Sequence, residues 1–157
     1  MEFFRTDNDG HIAKAKRLLY TQLFKPIHPS AVRQLRQEEY GAEHYFVCSL
    51  DQEIIAVMVL TVEGDGAELH HAITDKKYRS RGVGKRLWEQ VRQFAEGEGF
   101  CSVELYSRNT AIEFWQSIGF YPLTEEWLEI EPFLRHSIRH KKMAIQFTPI
   151  CESGEPG

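Results

Sequence analysis

The chain has 157 residues, enough for one domain with a sizeable core and short for two. Hydrophobic residues at 42% and charged residues at 27% are a globular balance, which excludes a disordered or fibrous chain. The net charge of −4 argues against general nucleic-acid binding, whose affinity comes from neutralising phosphates.

In chain order, Phe3-Phe4-Arg5 reads as a first strand. Asp7 or Asp9 can cap a helix whose apolar stripe is Ile12, Ala15, Leu18, Leu19 and Leu23. Pro26 and Pro29 end it, and Ser30 opens a second, more polar helix through Tyr40. Tyr45 to Leu50 and Ile54 to Val62 are strands rich in β-branched and aromatic residues, joined by Asp51-Gln52-Glu53 as a tight hairpin loop. Gly64-Asp65-Gly66 turns the chain into a strand from Ala67 to Thr74. A long amphipathic helix starts near Val83, carries Leu87, Val91 and Phe94 on one face, and closes at Gly97 and Gly99. Cys101 to Tyr106 is a further strand, and Thr110 to Ile118 a short helix ending at Gly119. Glu126 to Ile130 and Lys142 to Phe147 read as two last strands around a charged connection. This order predicts one mixed α/β domain over residues 1–149. The Gly/Pro/Ser/Glu-rich tail, 150–157, reads as disordered.

No stretch approaches the ~18 apolar residues of a membrane span. Met1-Glu2-Phe3-Phe4-Arg5 lacks the layout of a secretory signal. Cys48, Cys101 and Cys151 have no metal-ligand spacing, and their odd number suits a reducing compartment. Cys48 and Cys101 lie in apolar runs and read as small buried thiols. The expectation is a soluble, cytoplasmic protein without metal, membrane or nucleic-acid partners.

The net charge hides two compact basic spots. Residues 76–86 hold Lys76, Lys77, Arg79, Arg81, Lys85 and Arg86 without an acid, and 135–142 hold Arg135, Arg139, Lys141 and Lys142. The rest of the chain has nine cations against twenty-three acids, a balance of −14. An acidic protein with such spots is suited to holding a small anion. The first spot contains Arg79-Ser80-Arg81-Gly82-Val83-Gly84, between a predicted strand and a helix. Gly82 and Gly84 let the backbone come close to a ligand and turn its N–H groups inward. The helix start adds unpaired amides and the positive end of its dipole. That combination binds phosphate without requiring one particular side chain, and Arg79, Arg81 and Lys85 would add charge-assisted bonds. Neither the Walker spacing nor G-x-G-x-x-G is present.

Arg79-Ser80-Arg81-Gly82-Val83-Gly84 resembles the R/Q-x-x-G-x-G/A motif of the GNAT superfamily of N-acetyltransferases. A second block, Asn109-Thr110-Ala111-Ile112-Glu113-Phe114-Trp115-Gln116-Ser117-Ile118-Gly119-Phe120, resembles the family's N-x-A-x-x-x-Y-x-x-x-G-F segment. The pair, in this order, spans roughly residues 3–147. The resemblance implies a GNAT-like α/β fold: a twisted mixed sheet of about six or seven strands flanked by about four helices. It also implies acetyl-coenzyme A as co-substrate, with Arg79 through Gly84 and Lys85 at the pyrophosphate, Ile73 and Thr74 backbone groups at the pantetheine, and Asn109 touching the cofactor. Trp115 stands where many members carry a tyrosine that protonates the leaving thiolate. An indole N–H is no useful acid at neutral pH, so no general acid is assigned.

Direct transfer to an amine needs a neutral nitrogen, hence a base. Alternation over Ala67 to Ile73 puts Glu68, His70 and Ala72 on one face and Leu69, His71 and Ile73 on the other. By resemblance, Glu68 lies where histone-acetyltransferase-like members keep a catalytic glutamate; its plainer reading is a solvated strand start. His70 titrates near neutrality and is a comparable candidate, whereas His71 reads as a packing residue. Adjacent strand positions point opposite ways, so the pair does not read as a metal site. Glu125 to Glu129 with His140 and Met143 resembles an E-x-x-x-E … I-P-H-x-x-M ending of some bacterial members, with Arg139 in place of the proline. His140 is therefore a third catalytic candidate. The cations around it read as a solvated hairpin or as recognition of an anionic acceptor. The reading is an N-acetyltransferase acting on a small-molecule or peptide amine, with a non-catalytic acyl-coenzyme A sensor as the rival. The acceptor's identity is open, and so is a homodimer.

Overall fold

The computed structural model describes residues 1–26 and 42–147. The helix expected over Ser30 to Tyr40 and the tail at 150–157 lie outside the described residues. The strands are β1 (Glu2–Thr6), β2 (Glu43–Leu50), β3 (Glu53–Glu63), β4 (Gly66–Thr74), β5 (Ser102–Arg108), β6 (Tyr121–Pro122) and β7 (His140–Gln146). The helices are α1 (Asp9–Leu19), α2 (Val83–Gly97), α3 (Ile112–Ser117) and α4 (Glu131–Leu134). All seven strands join one sheet in the order β1-β2-β3-β4-β5-β7-β6, and only the β4–β5 pair is parallel. The mixed α/β expectation holds.

The ends of these elements follow local chemistry. Asn8, rather than Asp7 or Asp9, caps α1: its Oδ1 accepts from the His11 N–H at 3.0 Å. The apolar stripe buries Ala15, Leu18 and Leu19, and the helix then widens into a π turn, Tyr20–Phe24. Asp51 and Gln52 both take positive φ, which gives a two-residue hairpin, and Glu53 already belongs to β3. Gly99 at φ +79° lets the chain reverse after α2, with the Phe100 N–H returning to the Ala95 carbonyl.

Two cores sandwich the sheet. On one face α2 and α3 bury Leu87, Trp88, Val91 and Trp115 against Phe46, Leu60, Leu69, Val103 and Met143. On the other, α1 and the π turn bury Ala15, Leu18, Leu19 and Phe24 against Tyr45, Val47, Val57 and Val59. Among the described residues no helix is long and apolar enough to cross a membrane.

Two expectations are corrected here, and one element is new. The strand expected at Glu126 to Ile130 is a single bridge between Leu128 and His140, followed by α4, because Pro132 favours a helix start over a ladder. The two-residue β6 was not foreseen. Cys48 is a buried free thiol, but Cys101 is disulfide-bonded, so it is not the free thiol expected.

Candidate active site: a splayed strand pair and a basic helix start

β4 and β5 hydrogen-bond as neighbours over only two Cα pairs, Ala67↔Val103 and Glu68↔Glu104. Beyond Glu68 the two strands part, so residues 69–74 of β4 have β3 on one side and no β5 partner on the other. The result is a notch lined by ladder groups that need hydrogen-bond partners, in the middle of a seven-stranded sheet. Ile73 and Thr74 form its β4 wall at the far end. An extended amide-bearing ligand can complete such an edge as a strand would.

The notch ends at the basic loop. Asp75 accepts from the Lys77 N–H at 3.0 Å, forming a short 3-10 turn over Lys76–Tyr78. Ser80 at φ +65° and Gly82 at φ +77° then bend the chain into α2. Gly82 is the N-cap, and no side chain caps the helix, so the amides of Val83, Gly84 and Lys85 face outward without a protein acceptor from a cap. Among the described residues, none of the six cations of 76–86 forms an ion pair. Arg79 donates from Nε to the Thr74 carbonyl at 3.1 Å, which ties the loop to the end of β4. Arg81 lies over the Tyr78 ring and Arg86 over Phe3. A Cβ on Gly84 would stand 3.1 Å from the Phe114 ring, so α2 and α3 touch there only because the residue is glycine.

The second sequence block has two structural roles. Asn109 accepts from the Arg139 N–H at 3.0 Å and donates from Nδ2 to the Ser137 carbonyl at 3.3 Å, holding the segment before β7. Trp115 is buried in the α2-side core, edge-on to Phe114 and Phe120.

The other face of the notch carries the titratable groups. The alternation expected in β4 fails, because β3 and β4 slip by one residue at His70: Leu60 pairs with Leu69, but Val59 pairs with His71. His70 is the extra residue of a β-bulge. Leu69 and Ala72 therefore share the α2 face, while His71 and Ile73 turn to the α1 face. Glu68, opposite Thr61, lies on that same α1 face. Glu104, Tyr106 and Arg108 of β5 join it by alternation, with Lys142 and His140 of β7 opposite the last two.

Charge separates the three base candidates. Glu68 is raised to about 7, chiefly by burial and then by a hydrogen bond to and the charge of Glu63, with Glu104 adding and Lys142 opposing. His70 lies 3.8 Å from Glu68 through Nδ1 and is lowered to about 4 by burial and by His71, so this contact is not an ion pair at neutral pH. His140 is also lowered to about 4, by burial and by the Arg108 charge. Its Nδ1 is buried with no partner among the described residues, and its ring stands edge-on to Phe133 at 4.9 Å. Lys142 is bonded to Glu104 at 3.0 Å. The remaining cations of the second basic spot split up: Arg139 and Lys141 flank the Trp127 ring, and Arg135 reaches Glu131 at 3.9 Å.

Arg108 was not singled out from the sequence. It ends β5, donates from Nη2 to the Leu23 carbonyl at 3.1 Å, and lies 5.5 Å from the Phe133 ring centre. Burial alone lowers its pKa to about 10.

The sequence model of the acetyltransferase (GNAT) family matches residues 13–120, more than half of the chain and across both the notch and the loop. This chain belongs to the GNAT family of acetyltransferases. Solved GNAT structures share its fold. Escherichia coli ElaA superposes with a TM-score of 0.76 at 16% identity, covering 93% of this chain and 100% of its own. An aminoglycoside 6'-N-acetyltransferase complexed with coenzyme A gives 0.73 at 14%, covering 95% and 98%. Tetrahymena GCN5 gives 0.71 at 18%, again covering 95% and 98%. In this GNAT sheet, seven strands and four described helices surround the notch. Among the described residues no group of three or more His, Cys, Asp or Glu side chains is placed to hold a metal ion.

Proposed function

We propose that this chain moves the acetyl group of acetyl-coenzyme A onto a primary amine by direct attack within a ternary complex. One observation carries the reading: the β4–β5 notch runs straight into an uncapped helix start beside six cations that have no ion-pair partner among the described residues. These residues fit the donor. The open edge of β4, through Ile73 and Thr74, suits the amides of a pantetheine arm. Arg79 to Lys85 suit a diphosphate, by backbone amides first and by side-chain charge second. Asn109 fixes the segment beside the second block.

The acyl donor supplies an activated thioester. The chain supplies the rest. Strand amides of β4 can donate to the carbonyl oxygen as negative charge grows there. Holding donor and amine in one notch removes much of the entropic cost of their meeting. Glu68 takes the amine's proton, directly or through water, because a base near pH 7 is both unprotonated often enough and basic enough. His70 and His140, held near 4, are too weakly basic for that step and instead stay neutral beside it. The thiolate leaves without a protein acid from Trp115, whose indole lies in the core. A cytoplasmic site for this reaction rests on its donor alone, because the disulfide at Cys101 removes the argument from reduced thiols.

Trp115 also motivates a second reading, a non-catalytic acyl-coenzyme A sensor. The two readings part in a thiol-release assay with acetyl-coenzyme A and an amine panel, with the products weighed by mass spectrometry. Free thiol and N-acetylated amine in equal amounts support transfer. Tight coenzyme A binding without thiol release for any amine supports the sensor.

A further inference from the structure

We propose that Arg108 anchors a carboxylate of the acceptor, so that the amine acetylated here carries a carboxylate several bonds from its nucleophilic nitrogen. This rests on the acetyltransferase reading and narrows its substrate class. Arg108 lies on the α1 face of β5, the face that carries Glu68. Its guanidinium offers five N–H donors, and the Leu23 carbonyl takes one of them. Among the described residues no carboxylate pairs with it, and the acid nearest on α4, Glu131, reaches toward Arg135 instead. A buried cation is costly unless a counter-charge meets it. Directly across the ladder, His140 holds Nδ1 buried and without a partner among the described residues. A neutral imidazole beside a guanidinium can add one N–H to a bound anion without repelling it. The Phe133 ring lies against both the Arg108 guanidinium and the His140 imidazole.

The opposite charge lies further along the same strands. Glu68 and Glu104 pair at the apex of the notch, four residues before Arg108 on β5. At the rise of a strand that is about 13 Å, less the reach of the side chains. A cationic amine belongs at the acidic end and a carboxylate at the Arg108 end. An α-amino acid, whose two charges are adjacent, is too short to use both. An ω-amino acid, free lysine acting through its side-chain amine, or a short peptide has the necessary length. A guanidinium fork favours a planar carboxylate that can accept two parallel bonds.

The test compares ω-amino acids of increasing length with n-alkylamines of the same chain length, for the wild type, Arg108→Gln and Arg108→Lys. The wild type is expected to favour the longer ω-amino acids by about tenfold or more in kcat/KM, mainly through KM, as one charge-assisted bond pair supplies. Arg108→Gln should bring that ratio close to one, and Arg108→Lys should restore part of it. A wild-type ratio near one, or a ratio that survives in Arg108→Gln, overturns the proposal. Because Arg108 also ties the π turn to α4, a variant can fail to fold, so the wild type is titrated with acetate while the Arg108 Nε–H resonance is followed. A saturable shift is expected, and no shift overturns the proposal. An acetate shift with no thiol release from any amine keeps the anchor and removes the transferase reading. Thiol release at equal rates from both amine series keeps the transferase and removes the anchor.

Discussion

At the start of α2 the chain collects backbone amides, two glycines and six cations within residues 76–86. On the α1 face of the notch, Glu68, His71, Arg108 and His140 come from three strands and meet only in the folded sheet. The first region suits a constant anion: its main donors are amides, and side chains only supplement them. The second tunes side chains by burial and by each other, raising one carboxyl to about 7 and lowering two imidazoles to about 4. On the proposed function, donor binding would rest on local backbone, whereas base strength and acceptor choice would rest on tertiary packing. Substitutions in the two regions should fail in different kinetic constants.

The largest effect is expected at Glu68. Glu68→Gln should lower kcat by about a hundredfold, the range of a lost general base. It should also flatten the pH profile, because wild-type kcat/KM should fall below a limb near pH 7 as the carboxylate protonates. An unchanged profile would return the proton to water. Gly82→Val comes next, on the donor side. A branched residue at φ +77° strains the N-cap, and its side chain stands in the anion's path. KM for acetyl-coenzyme A should rise about tenfold or more with kcat largely kept. Equal losses in kcat at both sites would break the comparison.

A third prediction concerns stability. Glu68 is protonated more readily folded than unfolded, so its contribution is full below the ordinary carboxylate pKa and is lost as pH rises through about 7. Glu68→Gln should therefore raise stability at pH 8, by about 1–2 kcal/mol, and leave it nearly unchanged at pH 4. Thermal melts at the two pH values read the difference. The smallest effect is at Lys142, whose charge opposes the rise at Glu68. Lys142→Met should move the kinetic limb upward, and a downward move would contradict the electrostatic origin of the shift.

The same contrast explains what was legible in the sequence. The basic loop could be read because its chemistry is contiguous, and α2 could be read because Leu87, Val91 and Phe94 recur at helical spacing. Glu68 and His70 could be named, but Ala72 was grouped with them and His71 and Ile73 were set on the opposite face, since a single bulge residue inverts the alternation of everything after it. Arg108 carried no local signal: one arginine at a strand end is ordinary until the Leu23 carbonyl and Phe133 close over it. The parting of β4 from β5 was equally hidden, because ladder hydrogen bonds leave no mark on side-chain pattern. Trp115 shows the limit of a motif position: its neighbours Phe114 and Phe120, rather than the motif, decide that it packs.

The central claim is that the open edge of β4 and the bare start of α2 together hold the acyl donor. Backbone hydrogen exchange with coenzyme A, against ATP as a control of similar charge, tests it most directly. Coenzyme A should slow exchange at amides of residues 69–74 that face β5 and at Val83 to Lys85, whereas ATP should protect the helix start alone or not at all. Protection by coenzyme A that leaves residues 69–74 untouched would contradict the account.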